Sequence, residues 1–225
     1  MLELIALTLE DARAAVEAGA QRIELVGTMD KDGLAPTPEL TAQIVRELPD
    51  LKVRPMLRLE EGFGTEREEE LIELAHQFAA IGVDGVVFGY LDEAGALDLP
   101  LIARIAQALE GQCPFTIHRA VDHAADYQGT WDALLTLDPR PDVVLTAGST
   151  GGVGVGMPQL AEAIRRHPEA AQMIQAGGGL KLQHVAQLRE LGISQFHVGS
   201  GVRADGTFDS PISAEKVREW LAEIG

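Results

Sequence analysis

The chain has 225 residues, 46% of them hydrophobic, a single cysteine and a formal net charge of −17 at pH 7. This length suits one domain with a large core, so residues 1–225 are expected to form a single domain. The acidic balance opposes binding to nucleic acid or anionic membranes, no apolar run approaches the ~18 residues of a membrane helix, and the absence of a disulfide pair favours the cytoplasm.

A short apolar run followed by a helix-like segment recurs eight times along the chain. Strands are predicted near residues 2–6, 21–26, 52–58, 84–89, 114–118, 142–146, 172–176 and 195–199. Helices are predicted near residues 10–18, 37–48, 66–81, 98–110, 124–136, 157–166, 181–191 and 213–224. Eight such cycles in ~200–250 residues predict a single (β/α)₈ TIM barrel, whose reactive residues lie at the C-terminal ends of the strands.

Several helix ends carry the residues that helix ends favour. Asp98 and Ser213 stand where N-caps are expected, because their side-chain oxygens can accept the free amides of a first turn. Gly19, Gly82 and Gly192 follow predicted helices, where a left-handed backbone suits glycine.

Alternation along each strand predicts which side chains enter the barrel. Apolar residues on the outer face pack under helices, and polar residues on the inner face meet a ligand. The predicted lining is Glu3, Glu24, Arg54, Arg58, His118, Thr146, Gln175 and His197. Charged residues within strands are costly unless paired or functional, so this convergence indicates a site. The alternative is a structural polar network, with Glu24 paired to an arginine and His118 bonded to a carbonyl.

Glycine-rich turns follow the last two predicted strands, which is where such barrels usually hold a phosphate. These turns, with an arginine just beyond them, give the candidate ligand-binding or phosphate-binding set Gly177, Gly178, Gly179, Gly199, Ser200, Gly201 and Arg203. Backbone amides at glycine can approach an anion closely, and an arginine can add a bidentate contact. The simpler interpretation is that the glycines only form tight turns.

With these motifs placed, the chain resembles the CutC family of copper homeostasis proteins. The similarity lies in a segment ending Arg22-Ile23-Glu24-Leu25, a loop Asp32-Gly33-Leu34-Ala35-Pro36-Thr37, a strand ending in Arg58, the run Gly85–Asp92 and, most specifically, His118-Arg119-Ala120-Val121-Asp122. The resemblance implies a barrel, a role in copper handling and a homo-oligomer.

Copper ligands are sparse in the sequence. Val26 stands where the family often has a cysteine, and the only thiol, Cys113, precedes the strand that ends at His118, ~16 Å away at ~3.3 Å per residue. Cu(I) prefers thiolate and thioether ligands, and the five methionines are scattered. A site formed by His118, His197 and Glu24 is the remaining candidate metal site, for copper or another divalent ion.

Two functions follow from these observations, and a non-catalytic metabolite sensor is a third alternative. One is the copper homeostasis role that the resemblance implies, with copper as the candidate cofactor. The other is a lyase, isomerase or hydrolase acting on a small phosphorylated or carboxylated metabolite, with a small anionic ligand as partner. The candidate catalytic residues are Glu24, Arg58, His118, Asp122 and His197. Histidine is suited to acid–base work because its pKa lies near operating pH.

Overall fold

The structure, a computed structural model, describes residues 1–109, 111 and 113–225. Its strands are β1 (Leu2–Ala6), β2 (Arg22–Leu25), β3 (Lys52–Pro55), β4 (Val86–Phe88), β5 (Phe115–Ile117), β6 (Val143–Thr146), β7 (Ile174–Ala176) and β8 (Gln195–Val198). All pairs are parallel, in the order β3-β2-β1-β8-β7-β6-β5-β4. A parallel bridge from Met56 to Val87 joins the two edge strands. The predicted (β/α)₈ barrel is therefore confirmed.

Ten helices lie between and after the strands in the described residues. They are α1 (Leu9–Glu17), α2 (Pro38–Glu47), α3 (Glu68–Ile81), α4 (Leu99–Ala108), α5 (Ala120–His123), α6 (Tyr127–Leu134), α7 (Val153–Arg166), α8 (Ala170–Met173), α9 (Val185–Glu190) and α10 (Ala214–Ile224). None of the helices in these ranges has the length and apolar character needed to cross a membrane.

The predicted helix ends agree with the structure. The Asp98 side chain accepts the amide of Leu101, and Ser213 caps the first turn of α10. The left-handed turns after α1, α3 and α9 have φ values of 100° at Gly19, 83° at Gly82 and 86° at Gly192. Position 110, the last residue of the predicted helix 98–110, lies outside the described residues.

Three predicted elements have different bounds in the structure. The segment 124–136 contributes only α6, with α5 preceding it, and 172–176 is divided between α8 and β7. Helix α7 begins at Val153 rather than at 157. Its first turn packs so closely on the end of β6 that a Cβ at Gly156 would lie 1.9 Å from the carbonyl oxygen of Ala147. Glycine here permits the close approach, and a helical start in a glycine-rich segment is hard to recognise from propensity.

Inner-face residues were predicted well except on β6. The Cα partners Leu145 and Gln175 share the inner face, so Thr146 turns outward, where its hydroxyl donates to Asp122. The prediction that Thr146 lines the barrel was therefore wrong. At the opposite end of the barrel, Arg54 is buried and pairs with Asp84 and Asp142, which precede β4 and β6. Arg54 thus closes the N-terminal end rather than contributing to the mouth.

Candidate functional site

A cavity of about 690 Å³ opens at the C-terminal end of the barrel. Its walls come from the ends of the strands and the loops that follow them, which is the catalytic face of this fold. The polar residues on its wall are Glu24, Asp32, Arg58, His118, Arg119, His123, Thr150, Lys181, His197 and Ser200. The mouth therefore combines cations, carboxylates and imidazoles around one cavity.

A chain of alternating charges runs from the barrel interior to this cavity. Arg22 lies 2.6 Å from Glu3, measured between Nε and Oε2. The second oxygen of Glu3 is 2.8 Å from Nδ1 of His197, whose Nε2 lies 3.3 Å from Oε2 of Glu24. All four side chains are buried, and Glu24 and His197 reach the cavity wall. Glu3 therefore fixes the ring of His197 so that its other nitrogen faces Glu24.

The two carboxyl groups in this chain have opposite pKa shifts. Burial opposes ionisation of Glu3, but Arg22 and the hydrogen bond with His197 lower its pKa to about 2. Burial raises the pKa of Glu24 to about 7, against the attraction of His197. Burial would lower the pKa of His197, yet the bond to Glu3 and the charge of Glu24 raise it. Glu3 is thus a fixed anion, whereas Glu24 exchanges its proton near neutrality.

The structure brings together a different set of possible metal ligands from the predicted set of Glu24, His118 and His197. Within the described ranges, the group of possible ligands is Glu3, Glu24 and His197, whose ligand atoms lie within 4.8 Å of one another. His118 is outside that group. The donors are two carboxylates and one imidazole with no thiolate, and Arg22 already occupies Glu3. This set does not fit Cu(I), which prefers soft ligands, and the adjacent guanidinium opposes a second cation.

His118 is buried at the end of β5 and holds a neutral ring. Burial and the charge of Arg58 lower the pKa of His118 to about 3. Its Nδ1 accepts the amide of Ala120 at 3.2 Å, which assigns the proton to Nε2. Nε2 has no hydrogen-bond partner among the described residues. The geometry therefore suits His118 as a neutral hydrogen-bond donor rather than as the acid–base group expected from an ordinary histidine pKa.

The glycine turns form one side of the cavity. Gly178, Gly179, Gly199, Ser200 and Gly201 are on its wall, whereas Gly177 packs behind it, with the Cβ of an alanine there placed 2.5 Å from Cδ1 of Leu145. A Cβ at Gly178 would lie 2.5 Å from Cζ of Arg119, so the glycine admits that guanidinium. Lys181 lies on the same wall. The glycine turns, Arg119 and Lys181 therefore share one side of the cavity, where backbone amides near glycine can approach an anion.

Besides Gly177, two further predicted site residues, Arg203 and Asp122, do not line the cavity. Arg203 is buried against Asp11, with Nη2 2.7 Å from Oδ2, and also donates to the carbonyl of Ser210. It joins α1 to the segment after β8 instead of holding a ligand. Asp122 accepts bonds from the Thr146 hydroxyl and from the amides of Ala147 and Gly148. Its carboxylate shapes the β6 loop and holds Arg119 at 2.7 Å, so it supports the site from behind.

Several residues of the cavity wall are absent from the predicted site set. Phe63, Asp32 and Lys181 come from loops after β3, β2 and β7, whose paths alternation along strands does not report. Their loops converge because every such loop leaves the same end of the barrel.

The model of the CutC family matches residues 1–202. The chain belongs to the CutC family. A CutC family protein of Xanthomonas campestris pv. campestris is 32% identical over 203 residues, which cover 88% of this chain and 82% of the relative. Another, from Photorhabdus laumondii subsp. laumondii, is 30% identical over 199 residues, covering 87% and 78% of the two chains.

Solved structures show the same barrel. CutC of Streptococcus agalactiae, a protein named for copper homeostasis, superposes with a TM-score of 0.79 at 21% identity, over 88% of this chain and 97% of that one. Phosphoribosylanthranilate isomerase of Thermotoga maritima superposes with a TM-score of 0.65 at 17% identity, over 99% and 97%. The barrel fold of this chain is thus also found in a protein that is not named CutC.

Proposed function

We propose that this CutC protein is an acid–base enzyme that acts on a small phosphorylated metabolite in the barrel mouth. The observation that carries the proposal is the state of Glu24. This buried carboxyl lies on the cavity wall with a pKa of about 7, and its Oε1 has no hydrogen-bond partner among the described residues. A carboxyl tuned to neutral pH inside a cleft is suited to general acid–base catalysis.

Proton transfer follows from the contacts around Glu24. As a carboxylate, Glu24 would accept a proton from a carbon or hydroxyl of the bound molecule. As a carboxylic acid, it would return the proton to a neighbouring atom, giving an isomerase or lyase reaction. His197 is 3.3 Å from Glu24 and anchored by Glu3, so the two groups titrate as a coupled pair and can share the proton.

His118 complements this pair. Its neutral ring would donate Nε2–H to a carbonyl oxygen of the substrate, which stabilises the negative charge that develops when an adjacent proton is removed. A neutral donor suits this role because it does not have to lose a proton at pH 7. The phosphate of the substrate would lie at the turns after β7 and β8, with Arg119 and Lys181 supplying charge.

The phosphate cradle is tested by Gly178→Ala. The added Cβ would displace Arg119, so we expect at least a tenfold loss of affinity for inorganic phosphate and phosphorylated sugars, measured by calorimetry. Gly82→Ala is the matched control, because its φ of 83° is close to the 87° of Gly178 and its Cβ would meet nothing within 4 Å. Both variants carry the ~1–2 kcal/mol strain of a left-handed residue. Equal phosphate affinity in the two variants would contradict the cradle.

Turnover is tested by incubating the protein in ²H₂O with a panel of phosphorylated sugars and hydroxy acids. We expect at least one compound to gain deuterium or to be converted, as seen by mass spectrometry and NMR. A panel in which no phosphorylated compound binds, reacts or exchanges would refute the proposed function.

Copper binding is the second candidate, favoured by the name of the Streptococcus agalactiae relative. Met29 and Met56 place two thioethers on the cavity wall, but they pack with Ile5 and Val26 in an apolar cluster. Because the ligand group near Glu24 does not fit Cu(I), we expect no stoichiometric binding in a chelator-competition titration at micromolar Cu(I). His118→Ala should leave that result unchanged. Tight Cu(I) binding by the wild type that is lost in His118→Ala would instead support copper handling at the barrel mouth.

A further inference from the structure

Arg58 is a buried cation on the cavity wall without an acidic partner. Its side chain is 4% exposed, and no carboxylate oxygen within the described part of the chain comes within 4.0 Å of its guanidinium. Glu24 and Asp32 line the same cavity, but neither forms that ion pair. A buried charge is normally paired, so the guanidinium of Arg58 is suited to bind an anion.

The other buried arginines show the contrast. Arg22, Arg54 and Arg203 have similarly low exposure, and each lies within 3 Å of at least one carboxylate oxygen. Arg119, at the phosphate side of the cavity, is paired with Asp122. Arg58, which lines the cavity, is the one arginine of these five that has no carboxylate oxygen of the described residues within 4.0 Å.

Most hydrogen-bonding capacity of Arg58 is unused. A guanidinium has five N–H donors, and Arg58 directs one nitrogen, Nη2, to the carbonyl of Lys31. Nε is buried without a partner among the described residues, and burial lowers the pKa of Arg58. The bond to Lys31 and the ring of Phe63, 5.8 Å from Cζ, hold the group in place on the wall. A fixed guanidinium with free donors is pre-organised for a planar anion.

We infer that Arg58 binds a carboxylate of the substrate, so that the natural ligand of this cavity is a phosphorylated carboxylic acid. A carboxylate fits better than a second phosphate, because the wall already carries Glu24 and Asp32 and a single negative charge suffices to balance one guanidinium. The inference rests on the proposed function for the phosphate and adds the second charged group.

The experiment compares phosphorylated acids that have one to four carbons between the two groups with the matched phosphorylated alcohols. Affinities are measured by calorimetry for the wild type, Arg58→Gln, Arg58→Lys and Arg119→Gln. We expect at least one acid to bind the wild type roughly 10- to 100-fold more tightly than its alcohol, as for a charge-assisted hydrogen bond. Arg58→Gln should abolish this preference while keeping affinity for inorganic phosphate, and Arg58→Lys should retain part of it.

The control variant separates the two halves of the cavity. Arg119→Gln should weaken inorganic phosphate, acids and alcohols by the same factor and leave the preference for the acid intact. If acid and alcohol bind the wild type equally at every chain length, or if Arg58→Gln keeps the preference, the inference is overturned. The comparison of acid with alcohol in the wild type can overturn the inference even if a variant fails to fold.

Unphosphorylated acids from the same series distinguish failure of the inference from failure of the proposed function. Arg58-dependent binding of these acids without any phosphate binding would uphold the carboxylate site at Arg58 and refute the phosphate cradle. Phosphate binding without any preference for acids would do the reverse.

Discussion

Glu24→Gln is expected to lower deuterium exchange or turnover by about 10²- to 10⁴-fold, the usual contribution of a general acid–base group. The amide keeps the size of the side chain and its place beside His197 but cannot take up or release the proton. The measurement is the exchange rate of whichever phosphorylated compound the wild type processes, at saturating concentration. Affinity for inorganic phosphate should stay within about threefold of the wild type, because the cradle lies on other strands.

The wild-type pH profile provides an independent readout. Because Glu24 and His197 are coupled, the rate should change with an apparent pKa near 7 that belongs to the pair. The residual rate of Glu24→Gln should lack that inflection. An unchanged rate and profile in the variant would show that Glu24 does not transfer the proton.

Stability against pH reports the same raised pKa without any substrate. A carboxyl whose folded pKa of about 7 exceeds its ordinary value of 4.5 binds more protons when folded than when unfolded. Its contribution to the free energy of unfolding therefore falls as pH rises from about 4.5 to 7. Denaturant unfolding at several pH values should show a steeper decline over this window in the wild type than in Glu24→Gln. Equal slopes would mean that Glu24 ionises normally.

The barrel and much of its lining were predictable because both depend on local periodicity. Eight apolar runs alternating with helical segments suffice for the fold, and strict alternation placed Glu24 and His197 on the inner face. Alternation failed to predict the inner face of strand β6 for a physical reason. Its residues Val143, Val144 and Leu145 are all apolar because both faces of the strand are buried. The sequence therefore does not show which of these residues face inward, and Thr146 was predicted on the wrong face.

Long-range pairing limited the prediction of the site. Arg203 follows a glycine-rich turn, and nothing near it in sequence indicates that Asp11, 192 residues earlier, holds its guanidinium. The sequence likewise does not show whether Arg58 has a pairing partner. Alternation placed it at the cavity, but only the structure reveals that no carboxylate within the described ranges pairs with it. Charge pairing in a barrel is set by strands that are distant in sequence, so it appears only when the barrel closes.

Glu3→Gln is expected to lower the free energy of unfolding by about 3–5 kcal/mol, the usual cost of removing one partner of a buried ion pair. The substitution removes the carboxylate that pairs with Arg22, which is 3% exposed and otherwise donates only to the neutral side-chain oxygen of Gln195 at 3.3 Å among the described residues. Chemical denaturation at pH 7 measures the loss. Glu47→Gln, which breaks the more exposed pair with Arg13, is the control and should have little effect.

The pH dependence and a double variant identify the cause of that loss. The folded pKa of Glu3, about 2, lies below its ordinary 4.5, so its stabilising effect is complete above pH 4.5 and disappears as pH falls toward 2. The difference between wild type and Glu3→Gln should shrink over that range. Adding Arg22→Met to Glu3→Gln should recover stability, because the buried guanidinium is then gone. If the double variant is no more stable than Glu3→Gln, the cost lies in the lost bond to His197, and Glu3 acts mainly by orienting the imidazole beside Glu24.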